Sequence, residues 1–90
     1  MSISEKIKIE IKESFKKLFG YNCGLEDITI DQTPKNFSGF YTLIIYPHLK
    51  ELKLKPEEIG KKMGEYLLTN SKIISDYNLV KGFLNFDLNA

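Results

Sequence analysis

The chain has 90 residues, 42% of them hydrophobic and 12% aromatic, so it can build one hydrophobic core and a single small domain over residues 1–90. Lysine supplies all thirteen basic side chains, and the net charge of +1 lacks the strong positive excess of a stand-alone binder of phosphate backbones. One cysteine and one histidine do not make a zinc site, and no run of about 18 apolar residues could span a membrane. We therefore expect a cytoplasmic protein with no metal, cofactor or membrane contact.

The first predicted element is an amphipathic helix, because apolar side chains recur at helical spacing and line one face: Ile3, Ile7, Ile11, Phe15 and Leu18. Ser2 and Glu5 form a capping-box pattern at its start, and Gly20 lies where the helix should end. A short strand is predicted around residues 28–31, where Ile28 and Ile30 alternate with polar residues. Residues 40–46 predict a longer strand, aromatic and β-branched, that stops at Pro47.

A turn or two of helix through Leu49 and Leu52 follows, and a second main helix is predicted from Pro56 to Asn70. Residues 73–80 and 83–88 predict two strands on either side of Lys81-Gly82. The order predicts an α+β fold in which a four-stranded antiparallel sheet packs against two or three helices. Because the last strand ends so near the C-terminus, we expect the chain to be cut from a larger protein.

Catalytic residues are not predicted. His48 follows Pro47 without a serine or cysteine beside it in sequence, so we expect a surface or boundary side chain. Cys23 lacks neighbouring cations that would activate a thiol, which favours a small, partly buried residue. Glycine-rich phosphate-binding motifs are absent, and small phosphate-ester enzymes such as acylphosphatases use an arginine that this chain does not have.

The last strand carries the most functional information. In an extended segment Phe83, Asn85 and Asp87 share one face, while Leu84, Phe86 and Leu88 form a core face. An exposed aromatic beside an amide can bind an unstacked RNA base, with the ring stacking and the amide bonding the base edge. A surface Phe83 covered by a neighbouring domain explains the pattern equally well. An RRM, whose Gly-Phe motif lies on its third strand, does not fit, because here no helix or further strand follows.

Over its whole length the chain resembles the N-terminal domain of arginyl-tRNA synthetases. Four segments in order carry the resemblance: Thr33-Pro34-Lys35, Phe37-Ser38-Gly39-Phe40-Tyr41-Thr42, Lys55-Pro56-Glu57-Glu58-Ile59-Gly60 and Gly82-Phe83-Leu84-Asn85-Phe86. The chain departs from the family at Phe40, where a Gly-Asp pair is usual, and at residues 43–45, where an asparagine is often found.

The resemblance implies a domain that contacts the D-loop of arginine tRNA, with Phe83 and Asn85 binding a base. From charge and position, we expect Lys81 and Lys35 to meet phosphates. ATP and arginine would bind the catalytic domain of the parent ligase, which would also be a partner of this domain. The alternative is a non-catalytic protein-interaction module of the same fold, with Phe83 and Phe40 as anchors.

Overall fold

The computed structural model describes residues 2–37 and 39–89. These residues form the following helices and strands: α1 (Ile3–Phe19), β1 (Ile30–Gln32), β2 (Tyr41–Ile44), α2 (Leu49–Leu52), α3 (Pro56–Asn70), β3 (Ile74–Val80) and β4 (Phe83–Leu88). Two short 3-10 turns, Leu25–Asp27 and Tyr46–His48, precede β1 and α2. The predicted α+β architecture is confirmed.

Helix α1 begins and ends where the sequence predicts. The Ser2 hydroxyl accepts a hydrogen bond from the Glu5 backbone N–H at 3.2 Å and donates one to the Glu5 carboxylate at 3.2 Å. Gly20 adopts the left-handed conformation (φ 65°) and its N–H bonds the Lys16 carbonyl. Ile7, Ile11 and Phe15 are fully buried, so the predicted apolar face is the core face of the helix.

The four strands form one sheet in the order β1-β2-β4-β3, and each neighbouring pair is antiparallel. Leu43 lies opposite Leu84, and both are fully buried with Phe86 beneath the helices. Helix α3 lies close on β3, because a Cβ atom at Gly64 would be 2.6 Å from the Tyr77 ring. The helices therefore cover one face of the sheet.

In two strands an end is shifted by two residues from the prediction, and β3 begins one residue later than predicted. Residue Ile28 is buried after the first 3-10 turn, so β1 begins only at Ile30. Residue Ile45 has helical dihedral angles (φ −83°, ψ −29°) and starts the turn that contains Pro47, so β2 ends at Ile44.

The prediction of a surface or boundary position for His48 is wrong, since only 1% of its surface is exposed. The 3-10 turn that contains Pro47 carries the chain back towards the core. The imidazole packs against Phe15, with ring centres 4.8 Å apart, and its Nδ1 lies 3.0 Å from the Tyr21 hydroxyl. Cys23 is also buried, at 5% exposed.

Candidate nucleic-acid interface

The face of β4 that carries Phe83 and Asn85 belongs to the open face of the sheet, on the side away from the helices. Strand register aligns Asp31, Thr42, Asn85 and Asn78 in one row across the four strands. Residues opposite one another in antiparallel strands point to the same side, and Leu43 and Leu84 point to the helices. The row therefore faces away from the helices. Phe83 lies one row further along, opposite Ile44 and Val80.

Asn85 is not exposed, which corrects the expectation that Phe83 and Asn85 form one exposed face. Phe83 is 38% exposed, whereas Asn85 is 1% exposed. The loop between β1 and β2 covers the amide: the Phe40 N–H donates to the Phe86 carbonyl at 2.7 Å and the Thr33 N–H to the Phe40 carbonyl at 3.1 Å. The burial arises from the hairpin that joins β1 and β2, and not from β4 itself.

Gly39 allows this loop to lie so close. Its φ of 129° is rarely adopted by residues with a side chain. A Cβ atom there would lie 3.1 Å from the Phe86 carbonyl oxygen, 3.2 Å from the Cβ of Asn85 and 3.2 Å from the Oγ1 of Thr33. Both the backbone conformation and the lack of space for a side chain therefore favour glycine at this position, which allows the loop to lie against Asn85.

Two threonines fix the Asn85 side chain. The Thr42 hydroxyl donates to Asn85 Oδ1 at 2.5 Å, and the Oγ1 atoms of Thr33 and Thr42 are 2.9 Å apart. A hydroxyl has one proton, and that of Thr42 is used by Asn85. Thr33 must therefore be the donor to Thr42. The three side chains form one directed relay from Thr33 through Thr42 to the amide oxygen.

The nitrogen end of the same amide has no partner. Asn85 Nδ2 is buried and unpaired, although nearly all buried polar side chains in proteins make a hydrogen bond. A cavity of about 120 Å³ lies beside Asn85 and is lined by Pro34, Phe37, Thr42, Phe83 and Asn85. The surface that these residues expose to the cavity is apolar. Such a cavity suits a flat, largely apolar ring.

The Phe83 ring also packs against Tyr46. The two rings meet edge to face, with centres 5.8 Å apart and planes inclined by 79°. Tyr46 lies over Gly82, where any Cβ atom would collide with the tyrosine ring. Because Tyr46 is 48% exposed, the Phe83 ring is supported without being enclosed.

Lys35 and Lys81 both lie in exposed turns next to the cavity residues in sequence. Lys35 stands between Pro34 and Phe37, and Lys81 is in the two-residue turn that precedes Phe83. Lys81 has a left-handed conformation (φ 54°). Their role as phosphate contacts stays a prediction.

A larger concavity lies elsewhere, around His48. It measures about 370 Å³ and is lined by polar and acidic side chains together with the imidazole: Tyr21, Asn22, Cys23, Asp27, Pro47, His48 and Glu51. His48 Nε2 is buried without a partner. Burial lowers the pKa of His48, against a smaller opposing effect of Asp27, and raises the pKa of both Cys23 and Tyr21. These shifts favour the uncharged forms, which neither attract an anion nor activate the thiol.

Sequence reasoning proposed Phe83 and Asn85, which line the cavity, but it did not propose their neighbours there, Thr33, Thr42, Pro34 and Phe37. Thr42 alternates with Tyr41 and Leu43 in the strongest predicted strand, so its outward direction could be read from the sequence. Its contact with Asn85 could not, because strand pairing joins residues 43 positions apart. Among residues 2–37 and 39–89, no group of three histidine, cysteine or acidic side chains could hold a metal ion.

The fold is that of a small α+β domain with helices on one side of a sheet and a lined cavity on the other. The model of the family described as the arginyl tRNA synthetase N terminal domain matches residues 5–88, and the chain belongs to that family.

Curated relatives agree with this assignment, and a solved structure shares the fold. The chain is 36% identical over 88 residues to an arginine–tRNA ligase of Amoebophilus asiaticus, covering 98% of this chain and 15% of that protein. It is 35% identical over 85 residues to that of Parabacteroides distasonis, covering 94% and 14%. The arginyl-tRNA synthetase of Thermus thermophilus has the same fold, with a TM-score of 0.80 at 22% identity, over 98% of this chain and 14% of that one. The chain thus spans about 15% of the length of these curated relatives.

Proposed function

We propose that this chain is the tRNA-recognition domain of an arginine–tRNA ligase, that it contacts the D-loop of arginine tRNA, and that it supports aminoacylation by the rest of that protein. The proposed parent binds ATP and arginine in a catalytic domain, which is the second partner of this chain. Within the part of the chain that the structure describes, no helix is long and apolar enough to cross a membrane.

The cavity beside Asn85 is the observation that carries this proposal. It combines the Phe83 ring and an apolar wall with Asn85 as a lining residue, whose amide nitrogen is buried without a partner. An unstacked RNA base needs these same features, since its faces stack on aromatic rings and its edge bonds polar groups. Leaving a donor buried and unpaired lowers stability, and a base bound in the cavity could supply the missing partner.

Contacts between lysines and RNA phosphates are the second part of the proposed interaction. The chain has a net charge of only +1, so the domain gains little from phosphate neutralisation by itself. Lys35 and Lys81, in exposed turns, are our candidates for those contacts. We therefore expect weak binding by the isolated chain, with tRNA selection arising mainly from the base in the cavity.

An NMR titration of the labelled chain tests the proposal. Transcripts of arginine tRNA and of a non-cognate tRNA are added at low and moderate salt. We expect shifts concentrated at Thr42, Phe83 and Asn85, larger for the arginine tRNA. Shifts spread evenly over the lysines and equal for both tRNAs would contradict base recognition.

A matched pair of variants separates this function from the alternative. Phe40 is 60% exposed and does not line the cavity, so Phe40→Leu controls for loss of an exposed phenyl ring. We expect Phe83→Leu to weaken tRNA binding at least fivefold, since stacking contributes about 1–3 kcal/mol per base, and Phe40→Leu to leave it unchanged. Equal effects of the two variants on capture of a protein partner, with none on tRNA, would favour the protein-interaction module.

A further inference from the structure

A second hollow lies on the open face of the sheet, next to the cavity beside Asn85. It measures about 150 Å³ and is lined by six residues: Asp31, Gln32, Pro34, Thr42, Ile44 and Phe83. Pro34, Thr42 and Phe83 also line the cavity beside Asn85, so the two spaces adjoin. A ligand that enters the cavity therefore has the second hollow as its immediate neighbour.

Asp31 gives the second hollow a chemical character that the cavity does not have. Asp31 is exposed, and strand register places it opposite Thr42, in the row that faces away from the helices. An ionised carboxylate accepts hydrogen bonds and donates none. Because it also repels phosphate, it favours the hydrogen-bond donors of a nucleotide over the backbone of the nucleotide.

The nucleotide that follows or precedes an unstacked base carries such donors. Its ribose has a 2′-hydroxyl, and adenine, cytosine and guanine each have an exocyclic amino group. Pro34, Ile44 and Phe83 supply apolar surface for the ring or the sugar itself. Since single-stranded loops splay successive nucleotides apart, two adjoining hollows suit two successive nucleotides.

We propose that the second hollow binds the nucleotide next to the one in the cavity, and that Asp31 accepts a hydrogen bond from the 2′-hydroxyl or from the exocyclic amino group of that nucleotide. This inference rests on the proposed function. It adds to that function a second nucleotide and a specificity-determining residue on β1.

A structural role for Asp31 makes a different prediction. Strand β1 is at one edge of the sheet, and a charged side chain on an edge strand hinders pairing with other chains. Asp76 is a matched control, because it is an exposed carboxylate on the opposite edge strand, β3, and lines neither space. Asp31→Asn and Asp76→Asn each remove one negative charge. If charge alone matters, both variants should bind arginine tRNA as the wild-type chain does or up to about twofold more tightly.

The proposal predicts opposite signs for the two variants. We expect Asp31→Asn to weaken the binding of arginine tRNA roughly threefold to tenfold, because a hydrogen bond to a charged acceptor is lost. Asp76→Asn should leave the affinity unchanged or slightly higher. Urea denaturation checks that both variants are folded, and NMR titration measures both affinities.

Synthetic arginine tRNAs identify the donor group. In one series each D-loop nucleotide in turn carries 2′-deoxyribose. In a second series each D-loop base that has an exocyclic amino group is replaced by its analogue without that group. With the wild-type chain we expect one substitution to weaken binding by the same factor as Asp31→Asn, and to have no further effect on the Asp31→Asn chain. The series that contains this substitution shows whether Asp31 binds the ribose or the base.

The outcomes separate the two proposals. If arginine tRNA causes no NMR shifts at Phe83 and Asn85 of the wild-type chain, the proposed function fails, and this inference fails with it. If those shifts occur but Asp31→Asn binds tRNA as Asp76→Asn does, only the second nucleotide site is overturned. Additive effects of Asp31→Asn and of every tRNA substitution overturn it as well.

Discussion

Two buried nitrogen atoms without hydrogen-bond partners, Nδ2 of Asn85 and Nε2 of His48, lie in very different surroundings. Nε2 belongs to an imidazole packed on Phe15 and bonded to Tyr21, beside a wide concavity that Asp27 and Glu51 line. Nδ2 belongs to an amide held by a hydroxyl relay, beside a small aromatic cavity.

The difference teaches that cavity size is a poor guide to function here. The concavity near His48 is about three times larger, at about 370 Å³ against 120 Å³. Its carboxylates would repel an RNA phosphate, and its imidazole is part of the core. The smaller cavity is apolar, has the Phe83 ring in its lining and contains no carboxylate among its lining residues. We therefore assign a structural role to the His48 region and a binding role to the Asn85 region.

The largest expected effect is on the free energy of unfolding, for a change in the region around His48. Phe15 is fully buried and contacts both Tyr21 and His48. We expect Phe15→Ala to lower the free energy of unfolding by about 3–5 kcal/mol through the cavity it leaves, measured by urea denaturation. The milder Phe15→Leu should cost less and keep tRNA affinity. Loss of tRNA affinity in a folded Phe15→Leu chain would break the proposed separation of roles.

In the Asn85 region we expect the opposite result, a variant that is more stable but binds tRNA more weakly. In the double variant Thr42→Val with Asn85→Leu, apolar groups of similar shape replace the Thr42–Asn85 hydrogen bond and the unpaired Nδ2. We expect the free energy of unfolding to rise by about 1–3 kcal/mol, while tRNA affinity falls. Urea denaturation and the NMR titration measure the two quantities. A large loss of stability would show that the relay is needed for the fold.

The pH dependence of stability tests the role of His48. Burial lowers its pKa from 6.5, so in the window below that value the unfolded chain binds more protons than the folded chain. Stability is therefore fully present above pH 6.5 and falls as the pH drops towards the folded-state pKa, with a slope of at most about 1.4 kcal/mol per pH unit. Urea denaturation at several pH values measures this slope. His48→Gln should flatten it, and an unchanged slope would point to the carboxylates instead.

The sequence predicted the elements of the fold but not the way they meet. Local patterns were sufficient for Ser2 and Gly20 at the ends of α1, and for β4, because capping and alternation are properties of neighbouring residues. The burial of His48 and Asn85 was not predicted. Both depend on segments distant in the chain, Tyr21 on one side and the loop around Gly39 on the other.

The same limit applies to the candidate site. Alternation in β4 placed Phe83 and Asn85 on one face, and that placement is confirmed by the strand register. The direction of the amide required Thr42 and Thr33, and hence the pairing of β2 with β1 and β4. A pattern of single residues identifies which groups are present, whereas pairing decides which of their atoms are free.

The smallest expected effect concerns the lysine beside the cavity. Lys81 has a φ of 54°, a conformation that asparagine tolerates better than lysine does. We therefore expect Lys81→Asn to leave the free energy of unfolding unchanged or slightly higher. We expect it to weaken the binding of arginine tRNA and of a non-cognate tRNA by the same factor, and to reduce the slope of log K against log salt concentration by about one. Titrations at several salt concentrations measure this slope. Because Phe83 and Asn85 are unaltered, the ratio of the affinities for arginine tRNA and for a non-cognate tRNA should stay as in the wild-type chain. A variant that loses this preference would mean that Lys81 acts on the base and not on phosphate.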